Sequence, residues 1–284
     1  MKNSDLHVHS YYSDGELSPK EVVRLAKKKG IKNLAITDHN SVKGIGDAIK
    51  EGKKIGINVI PGVEIAAKED EVLCYYITDY KNSKLIALLN RTSFHENEKI
   101  KLRIKALQKR DFNINYKNFV KRFPHSKENY NLGHLSLYLS EEYKISRWEA
   151  FKIIHTLKIK KTRKKDLPIC QVIRLILKYN GIPVLAHPWA DLNSKGLLKE
   201  QNFKELILAG LKGIEIDNGD RDERRDIKTL KRIKELAKKY NLIITSGSDF
   251  HGNFLIKENE SHGIGECNCD ESVVKQLKAL KEKN

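Results

Sequence analysis

Two imidazoles stand one residue apart in "DLHVHS". They are His7 and His9, alternating with Leu6 and Val8, and Asp14 follows in "SDG". Alternation at a period of two is a strand pattern, so both rings project from one side and converge on one spot. The same residue types recur in later short stretches. Asp38 and His39 lie in "AITDHN", Glu64 in "PGVEI", His187 in "VLAHPW", and Asp249 and His251 in "SGSDFHG". Imidazole and carboxylate are donors for Zn2+, Mn2+ and Fe2+, and no thiolate cluster of the structural-zinc kind accompanies them. A lone histidine in such a place is most often structural. Here five of the ten histidines recur with four acidic residues in five stretches. Without Asp38, eight donors remain, more than one ion needs, so two or three ions are expected, with a carboxylate such as Glu64 bridging. Closely spaced ions suit phosphoryl chemistry: they bring a shared water's pKa near neutrality and stabilise charge on the attacked phosphate and the leaving oxygen. A serine or cysteine nucleophile would need a base and an orienting group, and the sequence offers no such set apart from these residues.

The elements that must carry these residues alternate. Leu6–Val8, "NLAIT", "INVI", "VLCYYI", "IPVLA", "GIEI" and "LIITS" read as seven strands, each leading toward a helical segment. The first helix, 19–29, has Ser18 as N-cap, Pro19 in its first position, Glu21 in its third, and Gly30 at its end. From about Asp79 to Asp166 the chain turns helical and polar, with no convincing strand. Repeated βα units with right-handed crossovers predict a parallel sheet, open or closed into a barrel. The expected organisation is a metal-binding barrel from 1–78 and 167–284, interrupted by a helical insertion at 79–166. In a parallel βα barrel, chemistry collects where strands end and βα loops begin, and the donor-bearing stretches fall at those ends.

The chain has 284 residues, 39% hydrophobic and 32% charged, with 54 Lys and Arg against 37 Asp and Glu, a net +17. This surplus suits polyanions such as nucleotides, nucleic acid or phosphorylated metabolites. Much of it reads as the solvated face of amphipathic helices, although "LKIKKTRKKD" packs six basic residues into 157–166. No apolar run approaches the roughly 18 residues needed to span a bilayer. The opening decapeptide also lacks a signal-peptide core, so a cytoplasmic protein is expected, with no membrane partner. Cys74 and Cys170 are scattered, and Cys267 and Cys269 are too close for an ordinary disulfide, which fits reduced thiols. "CNC" alone is weak grounds for a zinc site.

Taken in order, "DLHVHS…SDG", "TDHN", "PGVE", "AHP" and "GSDFH" resemble the motifs of the PHP (polymerase and histidinol phosphatase) superfamily. The resemblance is strongest to its stand-alone phosphoesterases, which include 3′,5′-nucleoside-bisphosphate phosphatases and a 5′-to-3′ exoribonuclease. It implies a distorted (βα)7 barrel with a helical insertion, and two or three divalent ions, Mn2+, Fe2+ or Zn2+. The implied activity is hydrolysis of phosphate esters of nucleotides or short RNA by a metal-bound hydroxide. Carried over by position, it gives one ion to His7, His9, Glu64 and Asp249. A second falls to Glu64 and His187, and a third to Asp14, His39 and His251. Asp38 would orient ligating histidines.

Two positions depart from that pattern. The fourth strand of such phosphoesterases usually adds a metal-binding histidine in a stretch like "HILGY". In "EVLCYYI" its place is assigned to Leu73, leaving Cys74, Glu71 or His95 as substitutes. The insertion usually carries an arginine two residues before a histidine, both contacting substrate phosphate. In "NLGHLS", His134 is in place as a candidate catalytic residue, but Leu132 replaces the arginine. Positive charge from "KIKLRIKALQKR" could stand in, although a solvated face is the simpler reading. His125, His155 and His262 read as surface or structural. Three rival readings stay open: a weakened relative that binds nucleic acid through its basic surface, a histidinol-phosphatase-like enzyme, and an amidohydrolase, which would use a carboxylated lysine or an extra acidic base.

Overall fold

The structure, a computed structural model, describes residues 2–127, 129–160, 166–189, 196–216, 227–252 and 263–283. The chain opens with strand β1 (Lys2–Val8), helix α1 (Pro19–Lys28), β2 (Asn33–Ile36), α2 (Ile45–Ile55), β3 (Asn58–Ala66) and β4 (Glu71–Tyr75). Four helices follow: α3 (Ser83–Gln108), α4 (Tyr116–Arg122), α5 (Leu132–Tyr143) and α6 (Arg147–His155). The alternation then resumes with α7 (Ile169–Lys178), β5 (Ile182–Leu185), α8 (Glu200–Ala209), β6 (Gly213–Glu215), α9 (Ile227–Lys239) and β7 (Ile243–Thr245). A two-residue strand, β8 (Cys269–Asp270), and helix α10 (Glu271–Lys283) finish it.

The strands form one sheet in the order β7-β6-β5-β4-β3-β2-β1-β8. Past β7 the chain turns back on β1: Leu6 N–H donates to Ser246 O at 3.3 Å, Asp249 N–H to His7 O at 2.9 Å and His9 N–H to Phe250 O at 2.9 Å. These bonds bring the sheet round into a nearly closed barrel. Gly247 lies where a Cβ would sit 2.3 Å from the His7 nitrogen, so no larger residue lets this turn press against β1. The α1 capping box forms as its sequence predicts, with Ser18 and Glu21 each bonding the other's backbone N–H.

Purely parallel pairing is not what forms. β4 runs antiparallel to both β3 and β5, and β8 runs antiparallel to β1. The chain between β3 and β4, residues 67–70, has no room for the dozen or more residues of a crossover. Reversal places the first residue of β4, not its last, at the mouth where the parallel strands end.

Leu6, Ala35, Ile60, Leu73, Tyr75, Ile182 and Val184 belong to one buried cluster. A second core forms within the helices from α3 to α6, from Ile100, Phe119, Leu135, Leu139 and Ile154 among others. Helix α3 belongs to two cores: Leu85 and Leu89 pack with strand residues such as Val63 and Val72, whereas Ile100 and Ile104 join the helical core. Among the described residues, no helix is long and apolar enough to cross a membrane. Within the basic stretch 157–166, residues 161–165 lie outside the described residues, as does His262.

Candidate metal centre

The eight donors expected from the sequence form one connected cluster at the barrel mouth. His7 comes from β1 and Glu64 from β3; the others lie just past the ends of β1, β2, β5 and β7. His7 Nε2 and His9 Nε2 face each other at 3.1 Å, Glu64 Oε2 lies 3.2 and 3.4 Å from them, and Asp249 Oδ1 lies 3.3 and 3.1 Å from them. Edges of this length surround a cation whose ligands lie at about 2.0–2.2 Å. Glu64 also reaches outward. Its Oε1 is 2.9 Å from His187 Nε2, and its Oε2 is 3.0 Å from His39 Nδ1. Asp14 Oδ1 lies 3.4 Å from His251 Nε2 and 3.8 Å from both His39 Nε2 and His9 Nδ1. His39 therefore stands between two groups, and His9 touches the Asp14 group as well as that of His7.

The donor set fits divalent ions. Asp14 Oδ1 and Glu64 Oε2 are buried oxygens with no hydrogen-bond partner, although each is ringed by imidazole nitrogens. Burying a carboxylate oxygen this way is costly without a counter-charge. The protons answer the same demand. Burial opposes charge on His7, but Glu215, Glu64 and Asp249 outweigh it and hold its pKa well above the usual imidazole value. His187 is raised to about 10 against burial, by Glu64 and then Glu71. Burial raises the Glu64 pKa, but His7 and His39 outweigh it and hold the group well below the usual carboxylate range. His9 goes the other way, down to about 4, through burial and the neighbouring His251 and His39. A bound cation would take the place of these imidazolium protons.

Glu215, at the end of β6, was not singled out from the sequence. Its Oε1 and Oε2 lie 3.0 and 3.2 Å from His7 Nδ1, and Oε2 accepts the His187 backbone N–H at 2.9 Å. It thus fixes which ring nitrogen of His7 faces the cluster and anchors the loop that bears His187. The strand-end rule that found the other donors applies equally to "GIEI". Glu215→Gln is expected to weaken metal binding by about 10–100-fold with the fold intact, as read by chelator competition. Two of the ligand residues, His187 and Asp249, have φ of 22° and 50°, a conformation that costs on the order of 1–3 kcal/mol.

Leu73 is not the vacant ligand position. It pairs with Glu64 in the antiparallel ladder but is fully buried with Leu6 and Ala35, whereas Glu71, two residues earlier on the same face of β4, reaches the mouth. Glu71 Oε1 lies 3.2 Å from His39 Nδ1 and Oε2 3.5 Å from His187 Nε2. "EVLCY" therefore aligns with "HILGY" residue for residue, with Glu71 in the histidine's place. Cys74 is buried in the other core, its thiol pushed up to about 12, and neither it nor His95 joins the ligand groups.

Among the described residues, the Asp38 carboxylate bonds to no histidine ring. It accepts from Ser10 N–H at 2.6 Å, Ser10 Oγ at 2.7 Å and Ser13 Oγ at 2.9 Å, and only Ser13 touches His9 Nδ1, at 3.3 Å. It shapes the loop after β1 and acts on His9 at one remove. His134 is engaged inside the insertion. Its Nδ1 lies 2.8 Å from Asn131 Oδ1 and 3.2 Å from the Asn131 backbone nitrogen, and its Nε2 lies 2.9 Å from Ser126 Oγ. That leaves neither nitrogen aimed at a phosphate. Burial pushes its pKa down to about 4. The neutral ring is the form the fold holds, so its contribution is complete above pH 6.5 and is lost as pH falls toward 4, a span of about 3 kcal/mol. In metal-free protein, urea midpoints at pH 7 and 4.5 should show this excess acid sensitivity, and His134→Gln, which keeps a capping side chain at that position, should lack it.

Leu132 packs on the insertion core. Of the nearby basic residues, Lys99 pairs with Glu96 and Asp166, and Lys101 with Glu98. His125 is exposed and stacks on Tyr11 with ring centroids 4.4 Å apart, and His155 is exposed at the end of α6. The "CNC" cysteines are buried thiols outside any disulfide and outside any ligand group among the described residues.

Residues 5–162 match the PHP domain family. The chain is 28% identical over 261 residues to a phosphoribosyl 1,2-cyclic phosphate 1,2-diphosphodiesterase of Eggerthella lenta, covering 88% of this chain and 94% of that one. It is 29% identical over 265 residues to a 5′-3′ exoribonuclease of Haemophilus influenzae, covering 88% and 90%. In fold it is similar to a Bifidobacterium adolescentis protein assigned as a metal-dependent phosphoesterase, with a TM-score of 0.85 at 24% identity over 98% of this chain and 96% of that one.

Proposed function

This chain belongs to the PHP domain family and is a metal-dependent phosphoesterase, and from that premise we propose that it hydrolyses phosphate esters of nucleotides or short RNA. The observation that carries the reading is Glu64, whose two oxygens face His187 on one side and His7, His9 and His39 on the other. A carboxylate so placed is suited to two cations at once. His7, His9, Glu64 and Asp249 would hold one ion. Glu64, Glu71, His187 and His39 would hold a second, and Asp14 and His251, with His39 or His9, would hold a third. Adding Glu71 makes the second position richer in oxygen, which favours Mn2+ or Fe2+ over Zn2+. When bound, such ions supply an acidified water and stabilise negative charge on phosphorus and the leaving oxygen.

The chain's own groups then do the positioning. Glu215 fixes the His7 ring, Ser13 braces His9, and Asp38 holds the loop on which Ser10 and Ser13 sit. No side chain is assigned as nucleophile. The two relatives are named for a cyclic phosphodiester and for RNA, which supports a ribose-phosphate ester as substrate. The barrel segments 1–78 and 167–284 carry the ligands, and the insertion 79–166 covers them from the side. Four cysteines outside any disulfide suit a reducing compartment, and the proposed location is the cytoplasm. Mn2+-loaded protein should turn over 3′,5′-bisphosphonucleotides or 5′-phosphorylated RNA, and lose that activity with a chelator. No turnover of these or of p-nitrophenyl phosphate would sink the reading.

A further inference from the structure

We infer that Asn131, in the helical insertion, is a positioning residue of the metal centre: it fixes Asp14 as a one-oxygen ligand and thereby sets the affinity of the Asp14 group for its divalent cation. This rests on the proposed reading of Asp14, His39 and His251 as a cation site and assigns a role to a residue outside it.

Asp14 lies on the loop after β1, outside the sheet, so no strand ladder holds it. Its carboxylate could turn about a soft terminal torsion and offer either oxygen or both. Asn131 removes that freedom. Its Nδ2 donates to Asp14 Oδ2 at 2.9 Å, leaving Oδ1 buried, unbonded and facing His251 Nε2 at 3.4 Å. The orientation of the Asn131 amide is set from both ends. The His134 backbone N–H, 3.2 Å away, demands an acceptor and receives Oδ1, which also lies 2.8 Å from the His134 Nδ1, while the Asp14 carboxylate demands a donor. Only one of the two amide flips satisfies both.

The platform beneath Asn131 is rigid. It is the N-cap of α5, and Arg147 braces the first turn from below, with Nη2 donating to Gly133 O and Nε to Ser136 Oγ, each at 3.1 Å. Gly133 permits the approach, because a Cβ there would lie 2.1 Å from Asp14 Oδ2. Neighbouring insertion residues grip the backbone of the same loops. Ser126 Oγ donates to Ser13 O at 2.8 Å, and Asn129 Nδ2 donates to Tyr12 O at 3.0 Å and to His39 O at 2.6 Å. With Leu132 packed on the insertion core, the side chain this turn presents to the site is an amide, directed at a protein carboxylate.

The test separates capping from positioning. Serine caps a helix as well as asparagine does but cannot extend a donor to Asp14. Metal-stripped full-length protein and the variants Asn131→Ser, Gly133→Ala and Asp14→Asn are titrated with Mn2+ and followed by electron paramagnetic resonance. Asn131→Ser should keep the wild-type urea midpoint without metal while one class of Mn2+ site weakens by about 10–100-fold. Gly133→Ala should weaken the same class, and Asp14→Asn should abolish it. If Asn131→Ser superposes on wild type while Asp14→Asn loses a site, the centre stands and the role of Asn131 falls. If Asp14→Asn leaves every site intact, the Asp14 group is not a cation site and the inference falls with it. Uniform weakening of all sites in Asn131→Ser with a lowered urea midpoint would mark a structural role only and also overturn it.

Discussion

Glu64→Gln should cost the enzyme at least about 10²–10³-fold in kcat/KM and at least one equivalent of bound metal. The substitution keeps the shape of the side chain and removes its charge. Glu64 is fully buried, and its two oxygens face four imidazoles at 2.9–3.4 Å. An amide offers one acceptor oxygen where two cations need two, and its NH2 group would point a donor into a space built for a positive ion. Retention of fold is expected, because Val63 and Ile65, on either side of Glu64 in β3, point to the opposite face and keep their packing in the core. Metal analysis after dialysis, alongside turnover with saturating Mn2+, reads both effects. A variant that binds full metal and works at wild-type rate would remove the basis for a shared carboxylate.

The second large effect contrasts two residues of β4. Glu71→Ala should lose one metal equivalent, and Glu71→His should keep it while moving preference toward Zn2+, since imidazole is the softer donor. Leu73→His should gain no metal. Leu73 is buried among apolar side chains, and an imidazole there finds no partner, so a loss on the order of 2–4 kcal/mol in urea unfolding is expected. The opposite pattern, metal gained at position 73 and nothing lost at 71, would mean that β4 is placed one side-chain pair out of register.

Position 71 also shows how far residue order alone can carry the argument. "DLHVHS" with "SDG" after it, "TDHN", "PGVE", "AHP" and "GSDFH" named the eight donors, since these stretches sit at or just past strand ends and strand ends are legible from apolar runs and turn residues. "VLCYYI" was legible as a strand and as an apolar one. Its direction was not, because parallel and antiparallel strands draw on the same residues, and only the short 67–70 connection argues for reversal. Direction decides which end of β4 meets the ions, and therefore whether Glu71 or Leu73 matters.

Glu215 and Asn131 mark the other limit. The sequence by itself determined the donor chemistry, the βα rhythm and the break at the insertion, since these follow from residue type and periodicity along a short stretch. The tertiary structure alone decided that Glu215 meets His7 across 208 positions and that Asn131 meets Asp14 across 117. Such pairs carry no local signal, because a carboxylate at a strand end or an asparagine capping a helix already has a complete local explanation. Closure of the barrel and docking of the insertion against its mouth give each of them a second partner.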